Sequence, residues 1–141
     1  MRAQYIMQLI RNVIVAALDK SGEKISGRII VGERPDGRNV EDIVINCMSL
    51  SQYPPPQKGI FNVNIHVPDL AVKIGTMSQN VANTDRIEAL NAVVVTALKN
   101  MEHEATLSYV SSVLMMKDVD DHYSNIRVEW TAYEFDYYEQ Y

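Results

Sequence analysis

The chain has 141 residues, 47% of them hydrophobic, and a formal net charge of -5 from 13 Lys and Arg against 18 Asp and Glu. This length and apolar content are typical of one domain with a single packed core. The acidic balance leaves no broad positive field of the kind that non-specific nucleic-acid binding requires. The lone Cys47 cannot form an internal disulfide. We therefore expect one soluble domain, made in the cytoplasm.

The amino-terminal segment does not fit a signal peptide. Gln4, Gln8, Arg11 and Asn12 interrupt its apolar run, and no small-residue cleavage site follows. No segment of the chain approaches the roughly 18 consecutive apolar residues that a membrane-spanning helix requires. The sequence therefore predicts neither secretion nor membrane insertion.

The first elements are predicted from apolar spacing and turn residues. Apolar positions from Ala3 to about Lys20 recur every three or four residues, which predicts an amphipathic first helix. The short apolar run from Arg28 to Val31 predicts a first strand. Arg34-Pro35-Asp36-Gly37 has strong turn character and predicts a hairpin into a second strand, from about Glu41 to Met48. Both faces of that second strand are fairly apolar, so it should be central in its sheet.

The clearest strand reads Gly-Ile-Phe-Asn-Val-Asn-Ile-His-Val-Pro, from Gly59 to Pro68. Its apolar residues alternate strictly with Asn62, Asn64 and His66, so one face should be buried. Pro68 ends the strand because it lacks a backbone donor. The proline-rich turn segment before this strand predicts a loop arm at about residues 49–59.

Residues 69–82 show no sustained apolar period, and we expect an unstructured connector there that forms a second loop arm. A second helix is predicted to start near Asn83. Asp85 and Glu88 within it have the spacing of a capping box.

Two strands end the predicted domain, one from Thr106 to Met115 and one from Ile126 to Ala132. A polar hairpin loop from Lys117 to His122 joins them. Strands linked by short turns favour antiparallel pairing. The sequence thus predicts an α+β fold, with a mixed, mainly antiparallel sheet of about five strands and two helices packed on one face.

Two groups of residues resemble metal ligands, but each has a simpler interpretation. Glu102, His103 and Glu104 are adjacent at a helix end, whereas ligands on one helix should be three or four positions apart. A solvated helix terminus is favoured for them. The loop residues Asp118, Asp120, Asp121 and His122 are better placed to converge on one cation. They lack the glycine and distal glutamate of a calcium loop, and a solvated hairpin tip is favoured.

The remaining candidates for chemistry are weaker. Cys47 lies in an apolar run and is more typical of a core residue than of a nucleophile. His66 would need a catalytic partner from elsewhere in the chain. The segment from Gly32 to Gly37 is followed by no predicted helix, so it lacks the donors of a phosphate-binding loop. We therefore predict no catalytic residue, no metal site and no cofactor, and a protein that is not an enzyme.

Two segments indicate protein interfaces instead. The stiff segment from Tyr53 to Lys58 could meet a partner at little entropic cost, or could be a spacer. The aromatic, acidic tail at residues 133–141 could join an interface or lie along its own domain. The candidate interface residues are Tyr53, Pro54, Pro55, Pro56, Lys73, Met77, Tyr133, Phe135, Tyr137, Tyr138 and Tyr141.

These segments together carry a family resemblance over nearly the whole chain. An amphipathic helix and a hairpin precede Gly-Ile-Phe-Asn-Val-Asn-Ile-His-Val-Pro; a loop, Asn-Thr-Asp-Arg-Ile-Glu-Ala-Leu and the strand Tyr-Ser-Asn-Ile-Arg-Val-Glu-Trp-Thr-Ala follow. This pattern resembles the tail terminator (tail completion) proteins of tailed bacteriophages. The resemblance implies a structural virion protein that forms a ring, usually of six copies. Such a ring caps the tail tube and joins the tail to the head or its connector.

The resemblance also implies the partners: further copies of the chain, the tail-tube protein, and a head-closure or connector protein. Genome DNA would pass through the lumen without specific binding. The implied location is the tail or neck of a virion assembled in the host cytoplasm. Three alternatives stay open: a head-closure or neck adaptor of the same particle, a small metal-dependent cytoplasmic enzyme using the Asp118 to His122 loop, and an unrelated oligomeric adaptor of the host.

Overall fold

The computed structural model describes residues 2–52, 56–103, 106–119 and 121–133. Two helices and seven strands make up this part of the chain. The helices are α1 (Ala3–Ser21) and α2 (Thr84–Lys99); the strands are β1 (Ile29–Val31), β2 (Asp42–Leu50), β3 (Gln57–Pro68), β4 (Leu70–Ile74), β5 (Met77–Val81), β6 (Thr106–Lys117) and β7 (Asp121–Ala132).

Five of the strands form one mixed sheet in the order β1-β2-β3-β7-β6, and β4 and β5 form a separate two-stranded sheet. All neighbours in the larger sheet are antiparallel except β1 and β2. The predicted α+β class, with a mainly antiparallel sheet of five strands, is confirmed. The predicted central position of β2, between β1 and β3, is also confirmed.

Both helices pack on the same face of this sheet, as predicted. Their apolar stripes recur every three or four residues, which places them on one side of each helix. The β-branched run in α2 has low helix propensity, so packing on the sheet must stabilise that helix. Within the described residues, neither helix is long and apolar enough to cross a membrane. The principal core residues are Ile6, Ile10, Ile14, Leu18, Ile43, Ile45, Phe61, Val63, Ile65, Ile87, Leu90, Val94, Leu98, Ile126, Val128 and Trp130.

The opposite face of the sheet is mainly polar, although Val44 and Ile60 lie on it, and it carries no helix in the described chain. Asn62 lies opposite Asn46 on one side and Arg127 on the other. Asn125 Nδ2 donates to Asn64 Oδ1 at 2.7 Å. Successive residues of a strand point to opposite faces of the sheet. The apolar residues that alternate with these polar ones therefore point to the helices. We call this second face the outer face.

The predicted hairpin between β1 and β2 is wrong, because the two strands run parallel. Ile29 lies opposite Ile43, and Gly32 N donates to Ile45 O at 2.9 Å. A turn does form near Gly37, whose φ of 74° is left-handed. It reverses only the loop at residues 32–41, which then carries the chain back to the starting end of β1.

The predicted unstructured connector at residues 69–82 is also wrong. The segment forms the β4–β5 hairpin, in which Leu70 lies opposite Val81 and Ile74 lies opposite Met77. The turn residue Gly75 has a φ of 65°, which a two-residue hairpin turn favours. The apolar alternation in β4 covers only five residues and is blurred by Ala71, so it gave a weak strand signal.

Several predicted element bounds are too short. β2 extends to Leu50 and β3 begins at Gln57, so both strands reach into the predicted first loop arm. β7 begins at Asp121, and it pairs with β3 from Gln57–Ala132 to Pro68–Asp121. Asp121 and His122 were predicted to lie in a polar loop. Because β3 pairs along its full length, they are instead the first residues of β7.

The helix cap differs from the predicted one. Asn83, not Asp85, is the N-cap of α2, and its side-chain oxygen accepts from Arg86 N at 3.3 Å. We expect Asn83→Ala to lower the free energy of unfolding by about 1 kcal/mol, because a backbone donor loses its partner. Asp85→Ala should cost about half as much or less, through its interaction with the helix dipole alone. Urea unfolding measures both, and the reverse ranking would contradict this cap.

Candidate functional site

Arg34 joins three parts of the chain through its guanidinium group. Its Nε donates to Asp42 Oδ2 at 2.9 Å, and its Nη1 donates to Asp121 Oδ2 at 2.7 Å. Its Nη2 donates to the carbonyl oxygens of Arg38 at 3.2 Å and Val40 at 3.0 Å. One side chain thus ties the loop between β1 and β2 to the first residues of β2 and β7.

Asp42 is a fully buried carboxylate, with 0% of its surface exposed. Arg38 donates to its two oxygens at 2.6 and 2.8 Å, and the backbone N–H of Arg28 donates at 2.9 Å. Burial alone would raise the pKa of Asp42, but hydrogen bonds from Arg38, Arg28 and Arg34 outweigh it and hold that pKa well below its usual range. Asp42 is therefore ionised near neutral pH and serves as a structural anchor.

His66 lies beside this network and is only 6% exposed. Its Nδ1 is 3.1 Å from Arg34 Nη1 and 3.2 Å from Asp121 Oδ2, and its ring stacks on Tyr123 at 4.7 Å. A guanidinium can only donate and a carboxylate can only accept, so the tautomer of His66 decides whether Nδ1 bonds to Arg34 or to Asp121. Burial and the charge of Arg34 lower the pKa of His66, and Asp121 offsets them only in part. His66 is therefore a neutral member of the cluster.

A cleft of about 750 Å³ opens between this network and the β4–β5 hairpin. One wall is the loop at residues 34–39, and the hairpin contributes Asn80. The floor is formed by the ends of β3 and β7. The other lining residues are His66, Asp69, Asp118, Val119 and Asp121.

Three side chains at this cleft could in principle share a cation. His66, Asp118 and Asp121 offer ligand atoms that lie within 4.8 Å of one another. Arg34 Nη1 already contacts both His66 Nδ1 and Asp121 Oδ2. Its positive charge occupies the position from which a metal ion would neutralise these groups, so the geometry fits an ion-paired cluster better than a metal site.

The predicted cation loop is only partly assembled. Asp118 and Asp121 approach each other, but His122 turns away, and its Nδ1 lies 2.7 Å from Asp69 Oδ1. Asp120 lies outside the described residues. His122 thereby links β7 to the base of the β4–β5 hairpin instead of joining the acidic group.

The weaker candidates lie far apart in the fold. Glu102 is exposed, and the His103 ring lies 6.0 Å from the ring of Trp130, which caps the core; Glu104 lies outside the described residues. Cys47 is half-buried against the core, and burial raises the pKa of its thiol. A thiol held in its protonated form is a poor nucleophile.

A second ionic network anchors α2. Arg86 Nε donates to Glu41 Oε2 at 2.6 Å, and its Nη1 donates to Glu23 Oε2 at 2.7 Å. The hydrogen bond to Glu41 raises the pKa of Arg86, so the guanidinium stays charged. These contacts tie the start of α2 to the segments that follow α1 and precede β2, which is a structural role.

The predicted interface residues that the structure describes are Pro56, Lys73, Met77 and Tyr133, and all four are exposed. Lys73 and Met77 share the β4–β5 hairpin but lie on opposite faces of it. The other predicted residues lie outside the described part of the chain: Tyr53, Pro54, Pro55, Phe135, Tyr137, Tyr138 and Tyr141.

The β4–β5 hairpin has one apolar face. Leu70, Val72 and Ile74 alternate along β4, and the register places Val81 and Met77 beside them. Each of these five side chains is at least 37% exposed, and Met77 reaches 66%. We call these five residues the hairpin apolar face. No other helix or strand of the described chain packs extensively on this hairpin.

The edge strand β6 carries a second exposed apolar surface. Leu107, Tyr109, Leu114 and Met116 lie opposite outer-face residues of β7 and are 43–59% exposed. We call these four residues the outer β6 strip. One long side of β6 has no strand neighbour in the described sheet. Long apolar edge strands are normally protected, so an uncovered one indicates a site of association.

Sequence reasoning missed Arg34 and the outer β6 strip. Arg34 was placed in a local turn, and no short-range pattern marks partners that lie 8 and 87 positions away. The strip did leave a signal, because residues 106–116 contain no charged residue and both alternating sets contain apolar side chains. That composition is unusual for an edge strand.

Comparison with known proteins assigns no family. No protein-family model matches the sequence, and no curated protein matches it. The function must therefore be inferred from the residues and surfaces described above.

We expect Arg34→Met to lower the free energy of unfolding by about 3–5 kcal/mol, because it leaves Asp121 and part of the buried Asp42 charge unpaired. Urea unfolding measures the loss. Arg28→Met is the matched control, since only the backbone N–H of Arg28 reaches Asp42 and its side chain is exposed. The control should change stability by less than about 0.5 kcal/mol. Equal losses in the two variants would contradict the role given to Arg34.

The lowered pKa of His66 predicts acid sensitivity. In the unfolded chain a histidine titrates near pH 6.5, so below about that pH the unfolded state binds more protons than the folded state. This contribution to stability is complete above about pH 6.5 and is lost as the pH falls through the folded-state pKa. Urea unfolding at several pH values between about 7.5 and 5 should show the decline, and His66→Gln should flatten it. An unchanged slope in that variant would refute the assignment.

Proposed function

We propose that this protein is a structural component of a bacteriophage virion: a tail terminator whose copies form a ring, usually of six subunits, at the end of the tail tube. The ring joins the tail to the head or its connector. The observation that carries the proposal is the pair of exposed apolar surfaces, the hairpin apolar face and the outer β6 strip, on one well-packed domain.

Exposed apolar area of this kind supports an assembly role. Monomeric proteins rarely leave contiguous apolar patches of more than a few hundred Å² in contact with water. Here the body has an ample core, so the exposed apolar side chains are not a failure of packing. They lie on a projecting hairpin and on a sheet edge, which are the two features best placed to reach a neighbouring molecule.

The element order also supports the resemblance to tail terminators. Two helices cover one face of a mainly antiparallel sheet, and the arm before α2 lies outside the resemblance. This arm is the β4–β5 hairpin, and it contains Lys73 and Met77, two of the interface residues that the sequence predicted. An acidic subunit suits a channel through which genome DNA passes without adhering.

The alternatives differ in how the geometry bears on them. A head-closure or neck adaptor would use the same surfaces, so it stays a neighbouring interpretation within the same particle. The metal-dependent enzyme is less favoured, because Arg34 supplies the positive charge among His66, Asp118 and Asp121. We therefore place the function in contacts with other proteins, in the tail or neck of the particle.

The proposal predicts a defined oligomer that binds tube ends. Native mass spectrometry of the purified chain over a range of concentrations should give one closed species, and six copies is the expected number. The same preparation, added to tail tubes that lack a cap, should decorate one end of each tube in electron micrographs. A chain that remains monomeric at high concentration and leaves tube ends bare would refute the proposal. Binding to the head side alone would favour the neck adaptor.

A further inference from the structure

We propose that the contact between neighbouring subunits is made by the hairpin apolar face of one copy, packed on the outer β6 strip of a second copy. This inference rests on the self-association in the proposed function and assigns it to residues. It makes the contact heterologous, because each copy gives a different surface to each neighbour. A contact of this kind generates a ring when the rotation between copies closes.

The orientation of the β4–β5 hairpin leaves its apolar face uncovered. The opposite face carries Lys73, Ser78 and Asn80, and Asn80 lines the cleft beside Arg34. The polar face therefore contributes a side chain to this cleft and the apolar face contributes none, although residues of both faces are exposed. An isolated two-stranded hairpin is only marginally stable in water, so a covering surface would order it.

The outer β6 strip supplies a matching surface. Its apolar side chains lie at the rim of an otherwise polar face, next to the strand side that has no neighbour in the described sheet. The strands of the hairpin, at five residues each, span roughly 17 Å, which fits within the longer β6. Packing there would bury both apolar sets and protect the exposed edge.

Charge argues that the occupant is a second copy of this chain. The sequence has 18 Asp and Glu, yet none of them falls at residues 70–81 or 106–116. Glu129 borders the outer β6 strip, where it lies opposite Tyr109 and is hydrogen-bonded to it. Two copies of an acidic protein repel each other least along surfaces that carry few acids. A basic peptide would instead require acidic groups at these positions. A nucleic acid would require strongly basic groups there. Both halves of the contact lie on one chain, so assembly needs no other protein.

Cross-linking tests the pairing directly. In a Cys47→Ala background, the double variant Met77→Cys with Leu114→Cys is treated with a short bis-maleimide and separated on a denaturing gel. We expect a ladder of covalent oligomers that ends at the closed ring. Each single-cysteine variant should stay monomeric, since a heterologous contact never brings two copies of the same position together. Dimers formed by a single variant would indicate a symmetric contact and would overturn the inference.

Two charge variants with the same number of introduced acids test the faces separately. Ile74→Asp with Met77→Asp places carboxylates on the apolar face, and Ala71→Asp with Ser78→Asp places them on the polar face. The first variant should raise the concentration needed for assembly by about tenfold or more, because the charges would be buried without partners. The second should assemble as the unmodified chain does. Thermal unfolding of both, measured below the concentration at which the unmodified chain assembles, should be unchanged, because the hairpin contributes no core residue.

These experiments separate failure of the inference from failure of the proposed function. Native mass spectra that show the ring while the double-cysteine variant gives no ladder would place the contact elsewhere and overturn the inference alone. A monomeric chain in all preparations would overturn both. Equal effects of the two charge variants on assembly would also overturn it, because the two hairpin faces would then be equivalent.

Discussion

Arg34 holds together the end of the sheet from which the β4–β5 hairpin projects. Its guanidinium satisfies Asp42 and Asp121 and reaches two loop carbonyls, so β2, β3 and β7 meet at a fixed geometry there. A fully buried carboxylate such as Asp42 is tolerated only when it is paired and hydrogen-bonded. The loop that carries Arg34 returns the chain across the sheet end, and β1 runs parallel to β2. Asp69 at the cleft is paired separately, with His122.

The two faces of the sheet serve different purposes. One is sealed by α1 and α2 and supplies the stability of the domain. The other is mainly polar, and its exposed apolar side chains lie along β6, where the sheet ends, and at Met48 on β2. The exposed apolar side chains of the sheet and hairpin are thus concentrated at the β6 edge and on the hairpin. An assembly that uses such localised surfaces can be specific, because a shifted contact would bury the polar side chains of the outer face without partners.

The sequence predicted the elements whose residues follow a local period, and it failed where distant residues decide. The stripes of α1 and α2 and the alternation around Phe61 were sufficient to predict the α+β class. The parallel pairing of β1 with β2 was missed because the turn residues near Gly37 lie within a longer loop, which no short window reveals. The β4–β5 hairpin was missed because its alternation is brief. At the site, His66 was noted, but its partners were not foreseen. Predicting the outer β6 strip requires the order of strands in the sheet, which the periodicity of the sequence does not reveal.

In the proposed assembly, the position of the β4–β5 hairpin separates folding from recognition within one small chain. The hairpin leaves the body directly after β3 and returns just before the cap of α2, and it gives no side chain to the core. Its sequence can therefore drift, lengthen or accept a reporter group while the rest of the domain folds as before. Substitutions confined to this short segment would change which neighbouring protein the chain binds. The sequence of the sheet could stay the same.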